Sequence, residues 1–253
     1  MIITFLFLIF LLSLVTCDQS SDLKKKDNTV TIYITRHGKT MLNTSERVQG
    51  WADSPLIEQG VEIAKNLGKG LKSIPFVAAY SSDSGRAIET AKLILEYNEK
   101  IVSKIEQNKR LRELNFGIFE GDKNNNMINA AVHITGVTSE DELLKLPLEK
   151  IIDSIAAADP TKQAEDWKGF SSRIKKEIDK ISEETSKNGG GNVLIVSHGF
   201  TISSLVEIID SNKTKVGLEN ASVTKILYKD GKYVVKSVDD MSYVDKGKNI
   251  VNK

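Results

Sequence analysis

Several side chains that could do chemistry follow segments that predict buried strands. Two arginines and two histidines occupy such positions: Arg36, His37, Arg86 and His198. In open α/β sheets, ligands bind outside the carboxyl ends of the strands. We therefore expect these side chains to converge at one edge of a sheet, although Arg36 and His198 are 162 residues apart. Glu113, at the end of a weaker predicted strand, is the candidate carboxyl group of the same edge.

This set of residue types fits phosphoryl transfer. Two guanidinium groups can grip a phosphate through paired charge-assisted hydrogen bonds. A helix N-terminus, after Gly199 or near Ser84, adds donors and positive potential. One neutral imidazole can act as a nucleophile, the second histidine can neutralise developing charge, and a carboxyl group can protonate the leaving oxygen. Gly38 and Gly199 let the backbone approach a ligand closely. The residues predict transfer through a phosphohistidine.

Each residue also has a purely structural interpretation. A histidine at a strand end can be a hydrogen-bonded core residue, and Arg86 can pair with Glu89 on a solvated helix face. Glu113 can form a surface ion pair with a neighbouring arginine. A metal site is a further alternative, but two histidines and one glutamate at these spacings match no compact ligand motif. We therefore expect neither a metal nor a cofactor.

The elements that must position these residues alternate along the chain. Runs of β-branched and apolar residues predict strands at 30–34, 76–80, 104–111 and 193–196, and a hairpin at 223–235. Apolar residues at spacings of three and four predict helices near 58–71, 84–97, 163–187 and 200–209. This alternation predicts an α/β fold, a three-layer sandwich around a mostly parallel sheet with one antiparallel edge hairpin.

Composition limits the function further. With 253 residues, 40% of them apolar, the chain can bury a core, and we expect a single domain over residues 30–253. Lys and Arg total 35 against 34 Asp and Glu, a formal charge of +1, so we expect no nucleic-acid partner. Residues 120–166, predicted to be irregular with helical pieces, carry ten acidic residues against four Lys, a net of −6. We expect this segment to form a lid that selects the substrate.

The first 17 residues differ from the rest of the chain. Residues 1–16 contain no charged residue, and the run ends at Cys17, the only cysteine of the sequence. The run is short for a membrane span and is typical of the apolar region of a signal peptide. Leu14-Val15-Thr16-Cys17 resembles a bacterial lipobox, in which the cysteine is lipidated. We expect export and a lipid anchor on the outer side of a bacterial cell membrane, with residues 18–29 as a tether. Secretion without a lipid, an uncleaved anchor and a misassigned start are the alternatives.

Five stretches of the sequence, in order, carry a more specific signal. They are TRHGKTMLN (35–43), VQGWADSPL (48–56), SSDSGRAIETA (81–91), ELNFGIFEG (113–121) and VSHG (196–199). Together they resemble the motifs R-H-G-x-T-x-x-N, Q-G-x-x-D-x-P-L, S-S-x-x-x-R-A-x-x-T-A, E-L-x-x-G-x-x-E-G and V-S-H-G of the histidine phosphatase superfamily, which includes phosphoglycerate mutases. The resemblance covers about residues 30–240 and implies a phosphoglycerate mutase-like fold and a small phosphorylated substrate.

The resemblance also implies roles for the matching residues. His37 is the expected phosphorylated nucleophile, and Glu113 the expected proton donor. Arg36, Arg86 and His198 are expected to hold the phosphoryl oxygens. The candidate substrate-binding residues are Gly38, Thr40, Asn43, Gln49, Gly50 and Gly199. Phe200 stands where the family often has a small residue and is expected to narrow the pocket or to give it an apolar wall.

The main functional choice is between a hydrolase and a mutase. A cofactor-dependent mutase must hold a bisphosphorylated glycerate and needs further cationic groups above the site. No arginine lies between Arg112 and Arg173, and the acidic lid disfavours a twice-phosphorylated ligand. We therefore predict a phosphomonoester hydrolase. A phosphoglycerate mutase and an inactive lipoprotein that binds a phosphorylated ligand are the alternatives.

The lipobox-like run makes a prediction of its own. Processing before Cys17 removes residues 1–16 and leaves a lipid on the new N-terminal cysteine. The intact mass of protein extracted from membranes should therefore show both the loss and the added lipid, and Cys17→Ser should abolish both. An intact chain that still begins with unmodified Met1 would contradict the prediction.

Overall fold

The computed structural model describes residues 27–100, 102 and 104–251, so the predicted signal segment and most of the predicted tether lie outside the described residues. Within these ranges, six strands form one sheet: β1 (Val30–Arg36), β2 (Phe76–Ser81), β3 (Ile105–Gln107), β4 (Gly191–Ser197), β5 (Val223–Lys229) and β6 (Lys232–Asp240). Their order in the sheet is β3-β2-β4-β1-β5-β6. The central strands β1 and β4 are buried because their residues are apolar on both faces.

The sheet is parallel on one side and antiparallel on the other. Strands β1, β4, β2 and β3 pair in parallel, whereas β5 pairs antiparallel with both β1 and β6. The β5–β6 hairpin turns at Asp230 and Gly231, which have φ angles of 50° and 77°. Positive φ at both central residues is the requirement of the tight turn that matches strand twist. The predicted fold class, with its antiparallel edge hairpin, is confirmed.

Helices cover both faces of the sheet, as a three-layer sandwich requires. They are α1 (Met41–Thr44), α2 (Glu58–Leu71), α3 (Gly85–Leu95), α4 (Asn124–Thr135), α5 (Glu140–Leu143), α6 (Leu148–Ala158), α7 (Trp167–Lys187), α8 (Gly199–Ile209) and α9 (Ser242–Val251). Residues of α2, α3 and α9 share one apolar core with one face of the sheet. Residues of α4 to α8 share a larger core with the opposite face. Alternation along β1 divides the cores, because Ile32 and Ile34 face one and Tyr33 the other.

Several elements differ from their prediction, and two of them show the physical reason. The weak strand predicted over 104–111 is shorter, because the Asn108 side chain accepts a hydrogen bond from the Arg110 N–H at 2.8 Å and starts a 3-10 turn. Helix α9 was not predicted at all. It packs on α2 through glycines, and a Cβ on Gly247 would lie 1.7 Å from the backbone oxygen of Asn66. This contact is between distant segments and leaves no periodic pattern in the sequence.

The register of the parallel strands decides where the candidate residues lie. Arg36 of β1 is level with Ser197 of β4, and Ser81 of β2 is level with Val196. The three strands therefore end at the same edge. The predicted lid, 120–166, contains α4, α5 and α6, whose inward side chains line a cavity above that edge.

Among the described residues, no helix combines the length and the apolar composition that crossing a bilayer requires.

Candidate active site

The edge formed by β1, β2 and β4 gathers the predicted catalytic residues. Arg36 ends β1 and His37 follows it, His198 follows β4, and Arg86 lies in the first turn of α3. Both histidines are buried, and their ring centroids are 5.2 Å apart. The backbone N–H of His37 donates to the carbonyl of Ser197 at 3.0 Å, which ties the two strand ends together. Residues far apart in sequence thus form one cluster.

The ring of His37 is held in one tautomer. Its Nδ1 lies 2.8 Å from the carbonyl oxygen of Gly38. Since a carbonyl only accepts, Nδ1 carries the proton and Nε2 keeps its lone pair. Burial, together with the charges of Arg86 and Arg36, lowers the pKa of His37 well below its ordinary value of 6.5. At neutral pH, His37 is a neutral imidazole with a free nucleophilic nitrogen.

His198 is held in the opposite tautomer. A terminal N–H of Arg86 donates to Nδ1 of His198 at 2.9 Å, and a guanidinium has no acceptor. The proton of His198 is therefore on Nε2, which donates to the Ser82 hydroxyl at 2.7 Å. Burial, followed by the charge of Arg86, lowers the pKa of His198 well below 6.5. The second histidine is neutral as well.

Arg86 is fully buried and surrounded by acceptors from one loop. Its guanidinium donates to the carbonyl oxygens of Gly50 at 2.8 Å, Ala52 at 3.0 Å and Gln49 at 3.3 Å. It also pairs with the Asp53 carboxylate at 2.8 Å. The alternative in which Arg86 pairs with Glu89 on a solvated face is therefore wrong. Arg86 is a core arginine whose direction is set by residues 49–53.

That loop is itself held by a carboxylate. Glu120 accepts backbone N–H groups of Gly50 at 3.1 Å, Trp51 at 2.8 Å and Ala52 at 2.8 Å. It also accepts the N–H of Phe116 at 3.0 Å, so each of its oxygens accepts two donors. Glu120 thereby fixes the carbonyl groups that orient Arg86. Within the described part of the chain, all hydrogen bonds to Glu120 come from backbone N–H groups, which makes it a positioning residue.

Glu113 lies at the N-terminus of α8. Its carboxylate accepts the N–H of Phe200 at 2.9 Å, of Thr201 at 3.0 Å and of Leu114 at 3.0 Å. Burial raises the pKa of Glu113 above its ordinary value of 4.5, against the hydrogen bonds from Phe200 and Leu114. A buried carboxyl group bound by helix N–H donors is not a surface ion pair, so that alternative is wrong.

Arg36 and Glu113 meet at Gly199. A Cβ on Gly199 would lie 3.7 Å from Glu113 Oε2 and 3.8 Å from Arg36 Nε, so the open side of this glycine faces both groups. One terminal N–H of Arg36 donates to the carbonyl of Leu218. Among the described residues, its buried Nε has no hydrogen-bond partner. An unpaired buried donor of this kind suits an anionic ligand.

The six candidate substrate-binding residues divide into two groups. Asn43, Gln49 and Gly199 line a cavity of about 870 Å³ together with Arg36, His37 and Glu113. Gly38, Thr40 and Gly50 are not among its lining residues. Gly38 supplies the carbonyl that orients His37, and Gly50 supplies one that holds Arg86. Thr40 caps α1 and donates to the Gln49 side chain at 2.6 Å.

Comparison with known proteins agrees with this geometry. Residues 32–241 match the sequence profile of the histidine phosphatase superfamily (branch 1). The chain belongs to this superfamily. The structure is similar to that of a phosphoglycerate mutase from Bacillus anthracis strain Sterne, with 66% identity, a TM-score of 0.86 and coverage of 89% of this chain and 99% of that one. It is also similar to YhfR of Bacillus stearothermophilus, with 30% identity, a TM-score of 0.69 and coverage of 85% and 99%. The probable phosphoglycerate mutase GpmB of Escherichia coli is 27% identical over 223 residues, which are 85% of this chain and 94% of that protein.

Sequence reasoning missed four polar residues of this superfamily member's site. Ser82, Asp53 and Glu120 stand within the matched stretches, and their contacts could have been sought there. Asn220 had no local signal. It lies before β5, and its side chain donates to the carbonyl of His37 at 2.9 Å. The antiparallel pairing of β5 with β1 carries Asn220 to the site.

The role of Glu120 can be tested with Glu120→Gln. The amide has one acceptor oxygen, so two of the four N–H groups lose their partner, at a cost of about 1–3 kcal/mol each. We expect the melting temperature to fall by several degrees and the affinity for inorganic phosphate to fall as Arg86 loses its fixed direction. Calorimetry measures both quantities.

Glu89→Gln is the matched control, because Glu89 is exposed on the same helix as Arg86. It should change neither quantity. Phosphate affinity that is equal in Glu120→Gln and in the unsubstituted protein would contradict the positioning role.

Proposed function

We propose that the chain is a phosphomonoester hydrolase that works through a phosphohistidine on His37. The observation that carries the proposal is the tautomer of His37, since the Gly38 carbonyl takes the Nδ1 proton and leaves Nε2 as a nucleophile beside two arginines. Nε2 attacks phosphorus, a P–N bond forms and the P–O bond to the leaving group breaks. Glu113, protonated, gives its proton to the leaving oxygen.

The second half of the reaction uses the same groups in reverse. Glu113, now ionised, takes a proton from water while the water oxygen attacks phosphorus. The P–N bond breaks, inorganic phosphate leaves and His37 returns to its neutral form. Glu113 is suited to both tasks, because burial raises its pKa while helix N–H groups stabilise the charged form.

The phosphoryl oxygens need donors that are already in place. The unpartnered Nε of Arg36 supplies one, and Arg36 lines the cavity beside His37. Arg86 and His198 were also expected to hold phosphoryl oxygens, but neither lines the cavity. Next to His37 they contribute a fixed charge and a polarisable ring. Such prearranged groups stabilise charge on the transferring group without reorganising during the reaction.

A phosphoglycerate mutase is the second candidate, and the names of two similar proteins favour it. A mutase must hold a bisphosphate, so cations are needed beyond those at His37. Away from His37, the cavity is lined by the cations Arg47 and Lys145. Their positive charges are balanced by Glu140 and Glu207, which line the same cavity. A second phosphate would meet no net positive charge there. This balance supports the hydrolase.

An inactive protein that binds a phosphorylated ligand is the third candidate. Such a protein would need arginines to hold a phosphate, but neither a nucleophile nor a proton donor. Here His37 has a free Nε2, and Glu113 lies beside Arg36 around Gly199. The presence of all the reacting groups in one cluster supports an active enzyme.

Hydrolysis is tested by phosphate release from a panel of phosphomonoesters that includes p-nitrophenyl phosphate and 3-phosphoglycerate. We expect release without added metal, and a loss of at least about a thousandfold in kcat/KM for His37→Ala, because the nucleophile is gone. His133→Ala is the matched control, since His133 is exposed on α4. Isomerisation of 3-phosphoglycerate in the presence of bisphosphoglycerate, without phosphate release, would instead establish the mutase.

The pH profile follows from the two pKa shifts. His37 must be neutral, and its pKa is lowered well below 6.5, so kcat/KM should fall only when the pH drops through that low value. Glu113 must be protonated, and its pKa is raised above 4.5, so kcat/KM should also fall as the pH rises through the raised value. We expect an optimum displaced to acid pH for an ester with a poor leaving group. Glu113→Gln should lower kcat/KM and remove its decrease at higher pH. The same decrease in that variant would contradict the assignment of Glu113 as the proton donor.

A further inference from the structure

We propose that the leaving group of the substrate is an uncharged, apolar alcohol, aromatic or alkyl, that carries a single phosphate. The proposal rests on the proposed hydrolase. It concerns the part of the cavity above His37, between α8 and the lid helices α4 to α6. At about 870 Å³, the whole cavity has the volume of a site that encloses a small organic molecule rather than a phosphate alone.

The walls above the phosphate position are mostly apolar and come from separate elements. Met127 of α4, Leu144 after α5 and Ile151 of α6 line the lid side. Phe200 of α8 and Val216 of the following loop line the opposite side. An apolar group binds more tightly when it leaves water and is enclosed between such walls. Each methylene group that is buried in this way raises the binding affinity about fourfold.

An aromatic pair stands where the leaving group begins. Phe116 and Phe200 pack edge to face, with ring centroids 5.7 Å apart, and both line the cavity. The backbone N–H of Phe200 binds Glu113, the proposed donor to the leaving oxygen. The first carbon atoms beyond that oxygen therefore meet aromatic rings. Aromatic walls favour aryl and alkyl groups over hydroxylated ones, whose hydroxyls would lose water without replacement.

The charged residues that line the cavity also support an uncharged leaving group. Arg47 and Lys145 line the same cavity as Glu140 and Glu207, so this part of the cavity has no net positive charge for a second anionic group. Arg47 also donates to the carbonyl of Gly121 at 2.7 Å. The surrounding lid has a net charge of −6. A carboxylate or second phosphate on the leaving group would be repelled and incompletely paired.

One lid residue allows a clean substitution. Leu144 lines the cavity and yet is 47% exposed, so a polar residue there removes apolar wall at little cost in folding. Ile134 is also 47% exposed and also belongs to the lid, but it is not among the lining residues. Leu144→Asn and Ile134→Asn therefore form a matched pair.

The experiment measures kcat/KM for ethyl, butyl and hexyl phosphate and for 3-phosphoglycerate with the full-length protein. We expect a rise of about two- to fourfold per added methylene, and 3-phosphoglycerate below hexyl phosphate. Leu144→Asn should lower the ratio of hexyl to ethyl phosphate by about fivefold, and Ile134→Asn should leave that ratio unchanged. These results would support the apolar leaving group.

Two other outcomes overturn different statements. One is hydrolysis of all esters with a kcat/KM that stays constant or falls as the alkyl chain lengthens, or a hexyl-to-ethyl ratio that Leu144→Asn leaves unchanged. Either result would overturn the apolar leaving group but not the hydrolase. No hydrolysis by either the unsubstituted protein or His37→Ala would overturn the hydrolase. Calorimetric binding of the same esters to His37→Ala then tests the apolar site independently of hydrolysis. Affinity that rises with chain length supports the apolar site, and affinity that does not rise overturns it.

Discussion

The buried charge of Arg86 is the constraint on which the site depends. A charged guanidinium in a protein interior needs acceptors, and here the carbonyl oxygens of Gln49, Gly50 and Ala52 and the carboxylate of Asp53 provide them. Those carbonyls face inward because Glu120 binds the N–H groups of the same loop. Arg86 also gives one terminal N–H to His198 and so sets its tautomer. A carboxylate outside the reacting cluster thus controls a ring inside it.

The two halves of the sheet contribute differently to this cluster. The parallel half brings the ends of β1, β2 and β4 together, and with them His37, Ser82 and His198. The antiparallel half brings the loop before β5, whose Asn220 binds the carbonyl of His37 and whose Leu218 carbonyl binds Arg36. The N-terminus of α8 adds the N–H groups that hold Glu113. The mixed sheet is therefore a requirement of the site, because neither half alone surrounds His37.

In the proposed enzyme, the chemistry and the selection of substrate involve separate parts of the chain. The sheet edge carries the buried arginines and neutral histidines, which the proposed reaction uses on the phosphoryl group. The lid helices and α8 supply the apolar walls and the balanced charges above it. Phe200 joins the two parts, since its backbone binds Glu113 and its ring lines the cavity. In the proposed reaction, one residue therefore positions both the proton donor and the first atoms of the leaving group.

Local sequence determined the elements and the residues that end them. Helix α2 has its predicted bounds of 58–71, and the runs at 30–34 and 193–196 lie in the central strands. Burial of one face of a helix leaves a period in the sequence, and burial of both faces of a strand leaves a continuous apolar run. The tertiary structure decided the rest. Asn220 is 183 residues from His37, and helix α9 packs through a glycine contact that has no period. Contacts in the folded chain also set the tautomers of His37 and His198 and place Leu144 in the wall of the cavity. Periodicity shows that a residue is buried or exposed, but only the folded chain determines what it faces.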